Sequence, residues 1–282
     1  MKNAKIWLVT GASQGLGLSL VKKLLESGHK VAATTRNIKS IENEVGPRSA
    51  FFLPLAVDVT SQAEVHQAVN QVVAHFGTID VLVNNAGYGQ TGAVAELTDK
   101  EIRQVFDVNF FSQINFIREV MPILKEKNSG HIFNIGSIGG YTGEFPGLGI
   151  YSATKFAISG MTEALSVEGK AFGVKVTLVY PGGFRTNFFE PTSIKNPVKP
   201  LEDYSTVHTA QAQMQSHSGS QEGDPDKFSD VLIGVSEMKN PPVHLFLGTD
   251  AYEIAHEKAK KVQEELQKFK SLSISTGFEV TE

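Results

Sequence analysis

Ile6-Trp7-Leu8-Val9-Thr10-Gly11-Ala12-Ser13-Gln14-Gly15-Leu16-Gly17 passes from an apolar run through three glycines into a helical period over Leu16–Ser27. A strand, a glycine turn and a helix in that order let a backbone approach a pyrophosphate, whose charge the helix N-terminus stabilises. Glycines alone also make plain turns, so the flanking strand and helix are what set this stretch apart. The reading places Gly11, Ser13, Gln14, Gly15, Leu16 and Gly17 against a cofactor.

Outward from this turn the pattern repeats. Short apolar runs rich in branched or aromatic residues occur at Ile6–Val9, Val31–Thr34, Phe51–Val57, Val81–Val83, His131–Ile135 and Val174–Val179. Each reads as a strand buried on both faces, as in parallel sheets. Helical periods lie between most of them, at Ser61–Phe76, Asp99–Lys125 and Tyr151–Phe172, and Ser61-Gln-Ala-Glu64 fits a capping box. The expected fold is therefore α/β, a Rossmann-type doubly wound parallel sheet, with residues 1–282 forming a single domain. Ligands in such sheets bind beyond the carboxyl ends of the strands.

After Tyr180 the alternation breaks. Residues 187–225 are polar and too long for an ordinary connection, which predicts a mobile lid or a partly helical insertion. A helix near Asp226–Met238, a strand at Val243–Leu247 and a last helix at about 250–270 follow. In that last helix Ala255, Ala259, Val262, Leu266 and Phe269 recur at intervals of four and three. The stripe fits docking on its own domain, with an intersubunit contact as the alternative.

Composition narrows the function. With 26 basic and 30 acidic residues and a net charge of −4, bulk binding to nucleic acid is not expected. The chain has no cysteine, which excludes disulfides, thiolate catalysis and cysteine-ligated metal; no metal site is expected. No apolar stretch approaches the roughly 18 residues of a membrane span, and the N-terminus lacks the apolar core of a signal peptide. A cytoplasmic protein without a membrane partner is the expectation.

The chemistry centres on Tyr151-Ser-Ala-Thr-Lys155. Tyr and Lys at i, i+4 share a helix face, where an ammonium beside a phenol lowers its pKa from about 10 toward working pH. Such a phenol is a general acid for a carbonyl oxygen. Ser137 precedes it and is either a partner or a turn hydroxyl. Asn109, inside an apolar helical stretch, needs buried partners and is either a kink residue or a functional one. Asn84-Asn85-Ala86-Gly87 braces strands, contacts a ribose or adenine, or forms an Asx turn. Asp58, followed by Val59, accepts a bond from an adenine amino group or simply caps a turn.

This set, in this order, resembles the short-chain dehydrogenase/reductase family, in its short single-domain branch, over about residues 5–186. The family's Thr-Gly-x-x-x-Gly-x-Gly turn is met by Thr10 to Gly17, and its Asn-Asn-Ala-Gly by Asn84 to Gly87. Its Asn-Ser-Tyr-Lys set is met by Asn109, Ser137, Tyr151 and Lys155, and its Pro-Gly…Thr by Pro181, Gly182 and Thr186. The resemblance implies that Tyr151 exchanges a proton with substrate while Lys155 lowers its pKa and bonds the nicotinamide ribose. It further implies that Ser137 orients the carbonyl and Asn109 positions a water behind Lys155. The interval from Ser137 to Tyr151 is one residue longer than usual, with Glu144 the extra one.

The implied activity is NADP(H)-dependent interconversion of an apolar ketone or aldehyde and its alcohol. Tyr88, Tyr141, Phe145, Leu148, Phe184, Phe188 and Phe189 are the expected pocket lining, with Asn85, Ala86, Gly87 and Phe184 also meeting cofactor. NAD-users of this fold place an acid at the end of the second strand. Here Thr35 stands at that position and Arg36 follows, which predicts NADPH over NADH, with a solvated surface arginine as the plain alternative. A second basic residue before the middle glycine is missing, since Gln14 occupies that place. Ala153, Ala157, Gly160 and Ala164 form a small-residue stripe on the catalytic helix, for packing within the subunit or for a homodimer or homotetramer. A catalytically silent dinucleotide sensor and an epimerase or dehydratase on the same fold are the competing readings.

Overall fold

The six apolar runs named above and the strand expected at Val243–Leu247 enter one parallel sheet of seven strands. The computed structural model describes residues 4–278, so the first three and last four residues of the expected domain lie outside the described residues. The central strand Ile6–Val9 (β1) pairs with Lys30–Thr35 (β2) on one side and Val81–Asn84 (β4) on the other. Phe52–Ala56 (β3) forms the edge beyond β2. Gly130–Ile135 (β6), Val174–Pro181 (β7) and His244–Leu247 (β9) extend the sheet beyond β4. Chain order therefore reverses between β1 and β4, and the reversal opens a crevice at the carboxyl ends. Gly89–Gln90 (β5) and Ile194–Lys195 (β8) make a separate short ladder beside that crevice.

Burial on both faces follows from alternation within the strands. Ile6 and Leu8 join one apolar layer with Val65, Val72, Phe116 and Leu124. Trp7 and Val9 join the other with Leu20, Leu24, Phe228 and Leu232. Gln62–Phe76 (α3), Ser112–Glu126 (α5) and Gly149–Lys170 (α6) supply the first layer; Gly15–Glu26 (α1) and Pro225–Glu237 (α8) supply the second. A fully buried side chain of this size contributes about 1.5–3 kcal/mol, so the two layers carry the fold.

Several local expectations are corrected. Ser61 accepts from Glu64 N, but the Glu64 carboxylate reaches Asp58 N at 2.7 Å instead of closing a box; the complete box is at Thr98 and Glu101. A short helix, Ile38–Val45 (α2), capped by Asn37, went unread between the second and third strands. The long helix expected over Asp99–Lys125 is Asp99–Phe106 (α4) and α5 joined by a π turn at Asp107–Phe111. One extra residue per turn leaves the apolar period intact, which is why the sequence reads as continuous.

The insertion is partly helical, carrying Ser205–Ser216 (α7). Two buried carboxylates fasten it: Glu96 accepts from Leu201 N at 2.8 Å and pairs with His208 Nε2 at 2.6 Å, while Glu101 accepts from Val198 N at 2.9 Å. The last long helix, Thr249–Lys268 (α9), precedes a short Lys270–Ile274 (α10). Of the expected stripe on α9 only Ala255 is buried, beside Ala251 and the half-buried Ile254; Ala259, Val262, Leu266 and Phe269 are exposed. On α6, Ala153, Gly160 and Ala164 are exposed beside Phe156 and Val167 while Ala157 is half-buried, so most of the small-residue stripe is left uncovered within the subunit. Among the described residues no helix is long and apolar enough to cross a membrane.

Candidate active site

The glycine turn is shaped by close approach. Gly11 and Gly15 hold φ of 64° and 57°, a region that side chains disfavour. A Cβ on Gly11 would stand 2.6 Å from Ala86 Cα, and one on Gly17 2.5 Å from Asn85 Nδ2. Asn85 donates from that amide to Thr10 O and Gly11 O at 2.9 and 3.0 Å, and Thr10 Oγ1 accepts from Asn85 N and Ala86 N. Asn84 donates to Asn134 Oδ1, and Asn134 in turn to Thr162. Of the readings for Asn84–Gly87, bracing is what these amides do.

Beyond the turn lies a cavity of about 840 Å³ along the carboxyl ends of the strands. Gly11, Ser13, Gln14, Gly15, Leu16, Thr35, Arg36, Asp58 and Val59 line one end; Asn85, Ala86 and Gly87 lie between. Gly17 does not line it, because it is consumed in packing against Asn85. The N-cap of α1, Gln14, makes no side-chain cap bond and the first turn holds no acid. Its open N–H groups and positive dipole end therefore suit an anion. Gln14 Nε2 donates to Ser193 Oγ at 2.6 Å instead. At the far end Arg36 is exposed, and Asp58 Oδ1 accepts from Thr60 N and Oγ1 at 2.9 and 2.7 Å. Those bonds, with Arg36 nearby, hold the Asp58 carboxyl below its ordinary range. The turn-acid reading of Asp58 is thus realised on the cavity wall.

Ser137, Tyr151 and Lys155 line the other end, with the tyrosine and lysine buried. Lys155 Nζ donates to Ile135 O at 3.0 Å and stands 5.7 Å from the centre of the Tyr151 ring. The expected lowering of the phenol is reversed in this geometry. Burial pushes Tyr151 up to about 12, against a hydrogen bond with Ser137, and burial brings Lys155 down to about 8. Desolvation disfavours each charged form and is the largest cause of both shifts. The phenol is therefore held protonated, as a proton donor needs to be.

Asn109 sits in the π turn, fully buried and off the cavity wall. Its Oδ1 accepts from Tyr88 N at 2.9 Å, and its Nδ2 donates to Tyr88 O at 3.0 Å and Thr154 Oγ1 at 3.2 Å. It pins the chain just past Gly87 to the catalytic helix. A Cβ on Gly87 would lie 3.1 Å from Asn109 Oδ1 and 3.8 Å from Lys155 Nζ, so that glycine keeps the space between them open.

Pro181, Gly182, Phe184 and Thr186 line the cavity after β7. Tyr88, Phe145, Leu148, Phe188 and Phe189 do so as expected, but Tyr141 does not; it packs edge-on against Phe246 and Tyr180 at 5.0 and 5.8 Å. Sequence reasoning missed Ser193, Lys195 and Met214 from the insertion and Asp250 and Ile254 from α9. Asp250 fills the space left by Gly182 and accepts from Gly183 N at 2.6 Å. In sequence it reads as an ordinary acid of a helix first turn, so only its fit to the Gly182–Gly183 pair would have marked it.

Residues 5–196 match the family model described as short chain dehydrogenase. The chain belongs to the short-chain dehydrogenase family. Among its short-chain dehydrogenase relatives and neighbours, oxidoreductase BOA17 of Botryotinia fuckeliana is 35% identical over 97% of this chain and 99% of its own. A 3-ketodihydrosphingosine reductase of Bacteroides thetaiotaomicron is 37% identical over 86% and 88%. A short-chain dehydrogenase structure from Streptomyces avermitilis superposes with a TM-score of 0.91 at 34% identity, covering 98% of this chain and 100% of that one. One from Burkholderia cenocepacia, in complex with NADP, gives 0.73 at 27%, over 94% and 97%. The protein is thus an oxidoreductase of the short-chain dehydrogenase family, and the glycine cradle and open helix end fit the nicotinamide dinucleotide that the family uses.

Proposed function

We propose that the protein reduces an apolar ketone or aldehyde to its alcohol with NADPH, Tyr151 serving as general acid. The observation that carries the reading is the buried Tyr151 and Lys155 beside Ser137 at one end of a cavity whose other end presents Arg36. The turn at Gly11–Gly15 and the α1 N-terminus would hold the pyrophosphate, Arg36 the 2′-phosphate, and the Pro181–Thr186 segment the nicotinamide end. When bound, the cofactor supplies the hydride. The side chains supply the rest: Ser137 and Tyr151 orient the carbonyl oxygen, and Tyr151 gives it a proton. Lys155 stabilises the phenolate left behind. Phe145, Leu148, Phe188 and Phe189 exclude water and favour an apolar body. The relative named as a 3-ketodihydrosphingosine reductase supports a ketone.

NADPH consumption over ketones of graded size tests this directly. Tyr151→Phe removes the acid and spares the cofactor cradle, so turnover should fall by at least about 10²–10⁴-fold with cofactor affinity retained. Near-native reduction by that variant would refute the role of Tyr151, whereas no NADPH consumption by the native protein with any ketone would favour a non-catalytic sensor or another chemistry.

A further inference from the structure

Glu144, by which the loop between Ser137 and Tyr151 exceeds the usual length, is tied to the C-terminal helix: Lys261 Nζ lies 2.8 Å from its Oε1. Between that loop and α9 lies a second cavity of about 290 Å³. Its inner wall is Phe145 and Ile254, and both also line the catalytic cavity. These two are partly buried side chains at the edge of a small cluster around Ile138, Ala251 and Ala255. The rim of the second cavity is polar: Thr142, Glu257, Lys258 and the Glu144–Lys261 pair. Ile254, Glu257, Lys258 and Lys261 all lie beyond residue 196, where the family match ends, so this feature lies outside the part of the chain that the family model describes.

We propose that the second cavity is a distal subsite and that the substrate is an elongated ketone reaching it past Phe145 and Ile254, its far end bearing an uncharged hydroxyl or amide. The inference rests on the ketone-reductase reading of the catalytic cavity. Two acids and two bases on the rim cancel, so neither a carboxylate nor an ammonium gains a net attraction there. A hydroxyl or amide finds donors and acceptors together. The apolar wall between the cavities selects a hydrocarbon middle.

The test uses linear 2-ketones of rising length, with and without a terminal hydroxyl. Binding is measured by calorimetry on the protein loaded with NADP⁺, and turnover separately with NADPH. Affinity should rise about three- to fourfold per added methylene. The terminal hydroxyl should weaken short ketones and strengthen long ones at least fivefold, the sign reversing once the chain passes the shared wall. Ile254→Trp, which narrows the passage, should end the length dependence early and abolish the reversal. Thr142→Val should keep the length dependence and shrink the reversal. Binding independent of length, a hydroxyl penalised at every length, a series unchanged by Ile254→Trp, or no binding at all overturns the subsite. Reduction of short ketones without the length pattern sinks the subsite and leaves the reductase reading standing. The binding pattern without any turnover does the opposite.

Discussion

Arg36 stands exposed where β2 ends, with Thr35 at the place an NAD-binding acid would take. A guanidinium bonded to a 2′-phosphate contributes about 1.5–3 kcal/mol, or roughly 10–100-fold in affinity. Gln14 adds no second charge and is engaged with Ser193, so the preference for NADPH should be clear but not extreme. Steady-state kinetics with both cofactors should show it, and Arg36→Ala should remove most of it; a native preference for NADH would reverse the reading. A second outcome concerns Lys155. Burial lowers it to about 8, so its proton is present below that pH and is lost as pH rises through it. Reduction measured as kcat/KM should therefore decline above pH of about 8, and a profile flat to pH 10 would contradict this. At this scale the identities and spacing of Ser137, Tyr151 and Lys155 were readable from the chain, because a helix repeats at fixed intervals. The direction of the phenol's shift was not, because spacing says nothing of how deeply the ring is buried.

Among elements, the insertion shows what a long polar segment does when two carboxylates fasten it. Burial opposes the charge on Glu96, but bonds from Leu201 N, Ala93 N and His208 more than offset it and hold the carboxyl below its ordinary range. A carboxyl depressed in the folded state stabilises the tether above the ordinary carboxylate range, and that contribution is lost as pH falls through the lowered value. Glu96→Gln keeps the shape and removes the charge. Hydrogen exchange across 196–216 should then quicken at neutral pH, whereas cofactor and ketone should slow exchange across 187–225 in the native protein. Unaltered exchange in both comparisons would show that the segment is a static part of the fold. Its length and polarity were legible; its anchors were not, since Glu96 and Glu101 lie about a hundred residues earlier and read as surface acids of a helix start. Asn109 was legible as an oddity, while the π turn that houses it was hidden by an unbroken apolar period.

For the whole molecule, the doubly wound parallel sheet followed from alternation, since strands apolar on both faces require helices on both sides. What the chain leaves uncovered is more telling. The outer face of α6 presents Ala153, Gly160 and Ala164 with Phe156 and Val167, small positions beside large ones as close helix packing requires. We expect a homodimer or homotetramer joined there. Light scattering should give a mass of two or four chains, and Ala164→Glu should lower it; a native monomer at micromolar concentration would count against the interface.

The π turn also limits how this chain can drift. Winding 107–111 as ordinary helix with all its residues kept would turn everything after it by about 100° and lengthen the rod by about 1.5 Å. Phe116, Val120 and Leu124 would then swing out of the core layer they fill, and Asn109 would let go of Tyr88. Point changes on the exposed side of this helix are tolerable, and so is loss of the one surplus residue inside the π turn, but a residue gained or lost elsewhere along α4 and α5 is not. Descendants of this sequence can gain or lose residues in the 187–225 insertion but must count them faithfully in the two helices that flank the π turn.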